Sequence, residues 1–591
     1  MTAPTTPRSR PSRRRKRRVG TRFLVLLAVA ACLLLLIGRG TVQFMTQVSC
    51  TNNQVVLNVA VSTDIAPGIQ RIANYFNRQR RRTDGRCVAV SVNPESPALA
   101  AAQIDGQQPA PSPAIDAWIP DSSLWVDQAR NYPLGANVVQ PAGFSVARSP
   151  LMLVMPKTAA VHVRAFGKVG WRILLPRSAG GPIVPPDVQV DLPDPSQSAA
   201  GLAALIEIGR MLGHGTAARV RFTRFVYSSQ VTTYFDSMSS LQSFVSLAAP
   251  PLNRDPLTVT TEQAVLSYDE RNGKQPLAAS YPTGSVSALG SPELDYPYVF
   301  TTSSRLRLDA ASLFGKALTT PYAQSVIRYL GFRSGNNVPD QFAAAYGLSK
   351  QVLQVANPPN PNQAPMALAV WDKLGLGSRS LTLVDVSSFM ARPADPANPT
   401  GPTLEQELTK TASLGLALFP DSANIGLWEF ADHLQRGKPY KQLVSVGPLP
   451  QNMGVITRRE ELQRLNGHLP PDGGPEVALY GTILDAYKYM QKTYKPNFFN
   501  AVIVLAAGLD NAPGDITATE LLNKLRILSS SPHRVAVIII AFNTSADFPM
   551  LKKIALTTGG QAYEITDPSR VVQVFYQALA HRLCGHGCVA P

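Results

Sequence analysis

Fifteen consecutive apolar residues, Phe23 to Ile37, follow closely on six consecutive basic ones, Arg13 to Arg18. No other feature constrains this chain as tightly. An apolar run of that kind must leave water, and Lys or Arg beside it stays on the cytoplasmic side, held there by anionic lipid. Fifteen residues fall short of the ~20 that span a bilayer. Val19 to Thr21 before the run and Thr41 to Met45 after it extend it to a tilted helix. The segment therefore predicts a basic cytoplasmic tail at 1–21, a transmembrane signal anchor at 22–45 and an extracytoplasmic remainder. Ala28, Ala30 and Ala31 lie inside the run, and leucines follow where a cleavage region would turn polar, so the anchor is expected to stay uncleaved.

A second mode of attachment is open. Val29-Ala30-Ala31-Cys32 resembles a lipobox, which would acylate Cys32, although the apolar Leu33 to Ile37 behind the cysteine opposes it. Either way the expected location is the cell membrane, with membrane lipid as a partner and the bulk of the chain outside. The net charge of +17 would otherwise suggest nucleic acid. Ten of the 56 basic residues and no acidic one lie in the first forty, which leaves 46 against 39. The charge is explained by the anchor, and no nucleic-acid partner is expected.

Five cysteines fit that setting: Cys32 in the run, Cys50 and Cys87 near the start of the folded part, Cys584 and Cys588 at the end. In an oxidising compartment the economical pairing is Cys50 with Cys87 and Cys584 with Cys588, among three connectivities that four cysteines allow. The tail His581, Cys584, His586 and Cys588 also offers four soft ligands, but they are crowded for a tetrahedral zinc site.

Apolar strand Val55 to Val61, a helix from Pro67 to about Arg80, and strands Val88 to Val92 and Ile115 to Ile119 alternate as in a parallel sheet covered by helices. A Pro- and Gly-rich break at Pro176 to Pro186 precedes a second unit: strand Val188 to Leu192, PDPSQSAAG and a helix through Leu212. Ala264 to Ser267 and Tyr296 to Thr301 are expected as strands returning to the first unit, with helices over Ala310 to Leu330 after them. Such a return makes two lobes with a hinge. NPPNPNQAP at Asn357 to Pro365 reads as a stiff connection.

Beyond it, strands Leu381 to Val384, Gly426 to Phe430, Ala501 to Leu505, Val535 to Phe542 and Gln561 to Ile565 alternate with helices. Leu404 to Leu418, Leu479 to Met490, Ile516 to Leu528 and Phe548 to Leu556 are those helices, and one more closes the chain. Continuous apolar strands between amphipathic helices imply a doubly wound sheet buried on both faces. The expected fold class is thus α/β: an N-terminal transmembrane helix, a two-lobed domain at 50–356, a connection at 357–369, a doubly wound domain at 370–582 and a cysteine tail at 583–591.

The C-terminal region resembles a von Willebrand factor A domain. The residues that carry the likeness are DVSSFM (Asp385 to Met390), GGPEVALYGTILDAY (Gly473 to Tyr487), NAVIVLAAG (Asn500 to Gly508) and the stretch Val535 to Pro568. That resemblance implies a Rossmann-like sheet and a magnesium site built from Asp-x-Ser-x-Ser with a later Thr and Asp. Asp385 and Ser387 match the first two positions, but the others fall on Phe389, Val477 and Ala507. Side chains without oxygen cannot hold a hard cation, so a degenerate site without metal is expected. A shifted register would bring in Thr482 and Asp510.

Residues 52–350 resemble type 2 extracellular solute-binding proteins, through VAVSTDIAPGIQRIANYFN (Val59 to Asn77), AIDAWIPDSSLWVDQA (Ala114 to Ala129) and LPDPSQSAAGLAAL (Leu192 to Leu205). In each, a strand ends in hydroxyl residues before a helix, an arrangement that can receive a small polar or anionic ligand. The candidates are Ser62, Thr63, Ser122, Ser123, Ser196 and Ser198, each of which also suits a helix cap. The Ala-, Arg- and Pro-rich composition points to a high-GC bacterium such as an actinobacterium.

Motifs for a nucleophile elbow, a phosphate loop, a zinc-binding H-E-x-x-H or a serine-lysine pair are absent from the sequence. The chain reads as a non-enzymatic binding protein without a cofactor, joining a ligand-binding domain to an interaction domain for an extracytoplasmic protein partner. Two alternatives stay open: the substrate-binding component of an ABC-type importer, and a regulator or enzyme of envelope chemistry.

Overall fold

A computed structural model describes residues 50, 53–164, 170–175, 188–232, 237–247, 255–273, 277–282, 292–339, 348–349, 358–435, 438–471, 473–507, 510–542, 548–567 and 570–583. The basic tail, the apolar run with Cys32, and Cys584 and Cys588 lie outside them. Among the described residues no helix is long and apolar enough to cross a membrane.

The first lobe begins with β1 (Gln54–Ser62), α1 (Ala66–Arg78), β2 (Arg82–Thr83), β3 (Arg86–Glu95), β4 (Ala117–Ile119), α2 (Ser123–Arg130) and β5 (Gln140–Ser145). Val59 and Val61 of β1 are buried, as is most of that strand, because parallel neighbours β3 and β4 flank it and helices cover both faces. Pro67 starts α1 at a position that needs no N–H. Its Ile69, Ile72, Ala73 and Phe76 recur at helical spacing and are all buried. The disulfide Cys50–Cys87 ties the entry of β1 to β3, in the pairing expected.

The second lobe is built on β6 (Ala147–Met155), β7 (Val188–Pro193), α3 (Ala199–Leu212), α4 (Thr216–Ser228), β8 (Gln230–Thr232), β9 (Asp255–Thr261) and α5 (Glu262–Arg271). Ala264 to Ser267, expected as a strand, is helical. Thr261 caps α5 by accepting from the N–H of Ala264 at 3.2 Å, and the strand of this region is the preceding β9. A segment of four residues, three of them apolar, has no periodicity by which helix and strand could be told apart.

The chain returns through β10 (Ala278–Ser280), β11 (Glu293–Leu294), β12 (Pro297–Phe300), α6 (Arg305–Leu318) and β13 (Arg333–Ser334). The first sheet has the order β2-β3-β1-β4-β12-β5, and the second β10-β6-β9-β7-β8 with β11 and β13 also on β6. Three passages therefore cross between the lobes: from β5 to β6, from β11 to β12, and into β13. At the second crossing Tyr296, fully buried, holds a φ of 38°. A bulky residue in that left-handed region is strained, and its neighbours must hold it there. Its N–H donates to the carbonyl of Asp121 (3.1 Å), and its carbonyl accepts from Val146 (2.9 Å).

The remainder runs α7 (Gln363–Gly375), β14 (Gly377–Asp385), α8 (Leu404–Ala417), β15 (Asn424–Gln435), β16 (Lys438–Pro448), α9 (Arg458–Asn466), α10 (Leu479–Lys492) and β17 (Phe498–Ala506). It ends with α11 (Ala518–Ser529), β18 (Ala536–Phe542), α12 (Phe548–Thr557), β19 (Ala562–Ile565) and α13 (Val571–His581). The sheet order is β16-β15-β14-β17-β18-β19, parallel except for the antiparallel edge β16. Separate apolar clusters cover its two faces, one around Leu381 and Leu383 and the other around Val384 and Ile540. The connection ahead of this sheet becomes helical at Gln363, and Ala364, Leu368 and Leu374 of α7 join the core of the first two lobes.

Candidate functional site

Between the lobes lies a cavity of 280 Å³. Ser122, Ser123 and Leu124 open it on the first lobe, Ala203 and Glu207 of α3 face it from the second, and Arg148, Glu293 and Asp295 come from the crossing strands. Pro358 and Pro359, from the connection to the third sheet, close one side.

The six predicted hydroxyl residues divide. Ser122 and Ser123 line the cavity, whereas Ser62, Thr63, Ser196 and Ser198 lie outside its lining. Ser122 caps α2, its hydroxyl accepting from the N–H of Leu124 at 3.2 Å. The N–H of Ser123 donates to the carboxylate of Asp295 at 2.7 Å, so a carboxylate of the chain itself already sits on this helix N-terminus. Ser198 caps α3 through the N–H of Gly201 (3.4 Å), and Ser196 donates to Asp194 from both its N–H (2.9 Å) and its hydroxyl (2.8 Å). The carbonyl of Ser62 accepts from Ile65 at 3.2 Å, and Thr63 is exposed.

Acidic groups dominate the lining, and sequence reasoning passed over them. Arg148 pairs with Glu293 and also donates to the carbonyl of Gly335 at 2.8 Å. Glu207 accepts from Arg210 at 2.8 Å through one oxygen, while its other oxygen is buried without a partner. Burial raises the carboxyl pKa of Glu207, Glu293 and Asp295. Behind them Asp121 is pushed up to about 8, by burial and then by the charge of Asp64. Glu207 could have been found, since it is the only charged residue between Ala199 and Gly209. A lone carboxylate in an apolar helix needs either a partner or a purpose.

Residues 57–333 match the family of bacterial extracellular solute-binding proteins. The matched stretch holds both lobes and all three crossings, and most of the cavity lining with them. Solved structures similar to the chain include the sulfate-binding protein SubI from Mycobacterium tuberculosis H37Rv, at 17% identity and a TM-score of 0.35, covering 51% of this chain and 93% of that one. The periplasmic binding protein AfuA from Actinobacillus pleuropneumoniae, with fructose-6-phosphate bound, is 12% identical with a TM-score of 0.38, covering 53% and 94%. A von Willebrand factor type A structure from Catenulispora acidiphila is 16% identical with a TM-score of 0.25, covering 35% and 43%. No curated protein matches the sequence.

Outside the matched stretch, Asp385 ends β14 at the carboxyl edge of the third sheet, where doubly wound folds bind ligands. Its carboxylate accepts from the N–H of Ser387 at 3.0 Å, and the Ser387 hydroxyl is buried without a partner. Phe389 packs beneath the Arg392 guanidinium, 4.4 Å from its ring centre. Val477 and Ala507 are buried among apolar side chains. Thr482 donates to the carbonyl of Ala478 at 2.7 Å, and Asp510 accepts from the N–H of Tyr480 at 3.0 Å, so both serve the first turn of α10. Asp515 joins them by accepting from Gly481 at 3.0 Å. Burial and the neighbouring Asp515 push Asp510 up to about 7. Among the described residues no three of His, Cys, Asp and Glu converge on a metal position.

Proposed function

We propose that the chain is a membrane-anchored, extracytoplasmic and non-enzymatic binding protein. Its interlobe cavity takes a small polar ligand, and its C-terminal sheet is a von Willebrand factor A-like module that binds a protein partner without magnesium. The segment 22–45 serves as the anchor, which agrees with a family whose members work outside the cytoplasm. The observation that carries the ligand site is the buried, unpartnered oxygen of Glu207 facing a cavity between two hinged lobes.

Of the two ligand chemistries the hydroxyl loops suggest, polar and anionic, the lining favours the first. Asp295 fills the helix N-terminus an anion would use, and Arg148 is spent on Glu293. Glu207, Glu293 and Asp295 together favour a ligand with hydrogen-bond donors or a positive charge, such as an amine. For the C-terminal module, Phe389, Val477 and Ala507 leave two of the five oxygen donors of the family's site, which supports a partner bound by surface complementarity.

Titration calorimetry of the full chain in nanodiscs, against diamines, amino sugars, sulfate and phosphate, tests the reading. An amine is expected to bind, and Glu207→Gln to weaken it roughly tenfold through loss of a charge-assisted hydrogen bond. Binding of sulfate or phosphate alone would overturn the ligand class. The importer role predicts in addition that deletion of the chain abolishes cellular uptake of the ligand.

A further inference from the structure

The central strand of a doubly wound sheet is ordinarily filled by branched aliphatic residues on both faces. On the face of β14 beneath α8 and α13, this chain instead places Ser378, Ser380 and Thr382. Ser380 pairs in register with Ala501 of β17, so two small residues lie side by side at the middle of the sheet. Across from them the helices present Ala412, Gly415 and Ala578, also small. The result is an apolar cavity of 100 Å³ between sheet and helices. That volume is several times the ~10–15 Å³ one water needs, in surroundings too apolar to hold water well. The Ser380 hydroxyl is buried in it without a partner.

One end is polar. Arg582, just past α13, donates to the hydroxyls of Ser378 (3.0 Å) and Tyr227 (3.2 Å), and its guanidinium lies 4.1 Å from the centre of the Phe499 ring. Its Nε is buried without a partner, and among the described residues no carboxylate forms an ion pair with it. Arg582, Phe499, Ile538 and Ala578 also line a second chamber of 150 Å³, which adds His581 and Gln561. Gln561 is 8% exposed, and its Oε1 has no partner, nor does Nε2 of His581. Among the described residues no Asp or Glu lines either space. A half-buried cation with no anion beside it among the described residues is disfavoured, and desolvation lowers the Arg582 pKa accordingly.

An apolar slot that ends on a guanidinium with no ion-pair partner among the described residues matches one kind of molecule. We propose that this cavity binds a short-chain carboxylate or phosphate monoester, its alkyl chain of about four to six carbons between the sheet and helices α8 and α13 and its head group on Arg582. A carboxylate or phosphate would accept from Nε and would supply the missing charge. The alkyl chain would cover Ser380, Ala501 and Gly415.

Photocrosslinking tests the assignment on the full chain in nanodiscs, with a diazirine-bearing hexanoate and peptide mapping by mass spectrometry. Label is expected on β14, α8 and α13. Hexanoate and hexyl phosphate should compete for it, and their relative strength separates a carboxylate from a phosphate head group. Hexyltrimethylammonium should compete poorly. Gly415→Met fills the slot without backbone conflict, because a Cβ there meets nothing closer than Val571 at 3.9 Å. It is expected to melt no lower than the wild type and to cut labelling roughly tenfold. Arg582→Gln should weaken hexanoate about tenfold while leaving hexanol unchanged. Labelling that spreads over the surface, that survives Gly415→Met, or that the cationic amphiphile blocks equally well overturns the proposal.

Discussion

Asp121 sits buried behind the interlobe cavity, close enough to Asp64 and Asp295 that their charges oppose its ionisation. Its carboxyl titrates near 8 in the folded chain, against ~4 in an unfolded one. Between those values the folded state holds the extra proton, so stability falls as pH rises from about 4 to about 8. Asp121→Asn removes that slope, and its gain is expected to reach a few kcal/mol at pH 8 while vanishing near pH 4. Denaturant melts at pH 5 and pH 8 check this, and an equal effect at both would refute it. Asp127, pushed up to about 6 by burial, keeps a weaker slope of the same sign in the variant. At this scale the sequence was only partly legible. Ser122 and Ser123 could be picked out because hydroxyls before a helix have a recognisable use. Asp295 and Glu293 could not, because their role comes from a hinge that joins residues about 170 positions apart in the chain.

Secondary structure was easiest to read where burial is two-sided. Val535 to Phe542 stands out as an apolar run, and β18 occupies Ala536–Phe542. The edge strand β16 was missed because its exposed positions interrupt any apolar run. Helix starts left clearer marks. Thr403, Thr457 and Thr517 each form a reciprocal capping box, with Gln406, Glu460 and Glu520. In the last of these, Thr517 accepts from the N–H of Glu520 at 3.2 Å, and Glu520 accepts from the N–H of Thr517 at 2.9 Å. Thr517→Ala is expected to cost ~1 kcal/mol. Hydrogen exchange should localise the loss to the first turn of α11, and protection unchanged there would contradict the capping role. The Ala264 to Ser267 error has the same origin seen from the other side. Thr261 was the cap to look for, and the apolar run behind it was too short to show its period.

At the scale of the whole molecule, the connection between the domains does more than join them. Pro358 and Pro359 form a wall of the cavity, and α7 then packs against α2 of the first lobe and α3 of the second. Opening the lobes at the three crossings would pull α7 from one or the other. Leu368, buried in the shared core, fastens this latch. The chain after α13 adds a second contact, where the Tyr227 hydroxyl on α4 accepts from Arg582 while donating to the carbonyl of Leu374 on α7 (2.9 Å). A free hinge closes when ligand binds and becomes measurably more compact, but a latched pair of lobes has little left to close. X-ray scattering of the wild-type protein is therefore expected to give the same radius of gyration with and without ligand. Leu368→Ser places a hydroxyl in an apolar site and should release α7 at a cost of ~2–4 kcal/mol. The variant is expected to be expanded without ligand, to contract when ligand is added, and to exchange ligand faster than the wild type. A wild type that contracts as much as the variant would show that α7 travels with the hinge and does not restrain it.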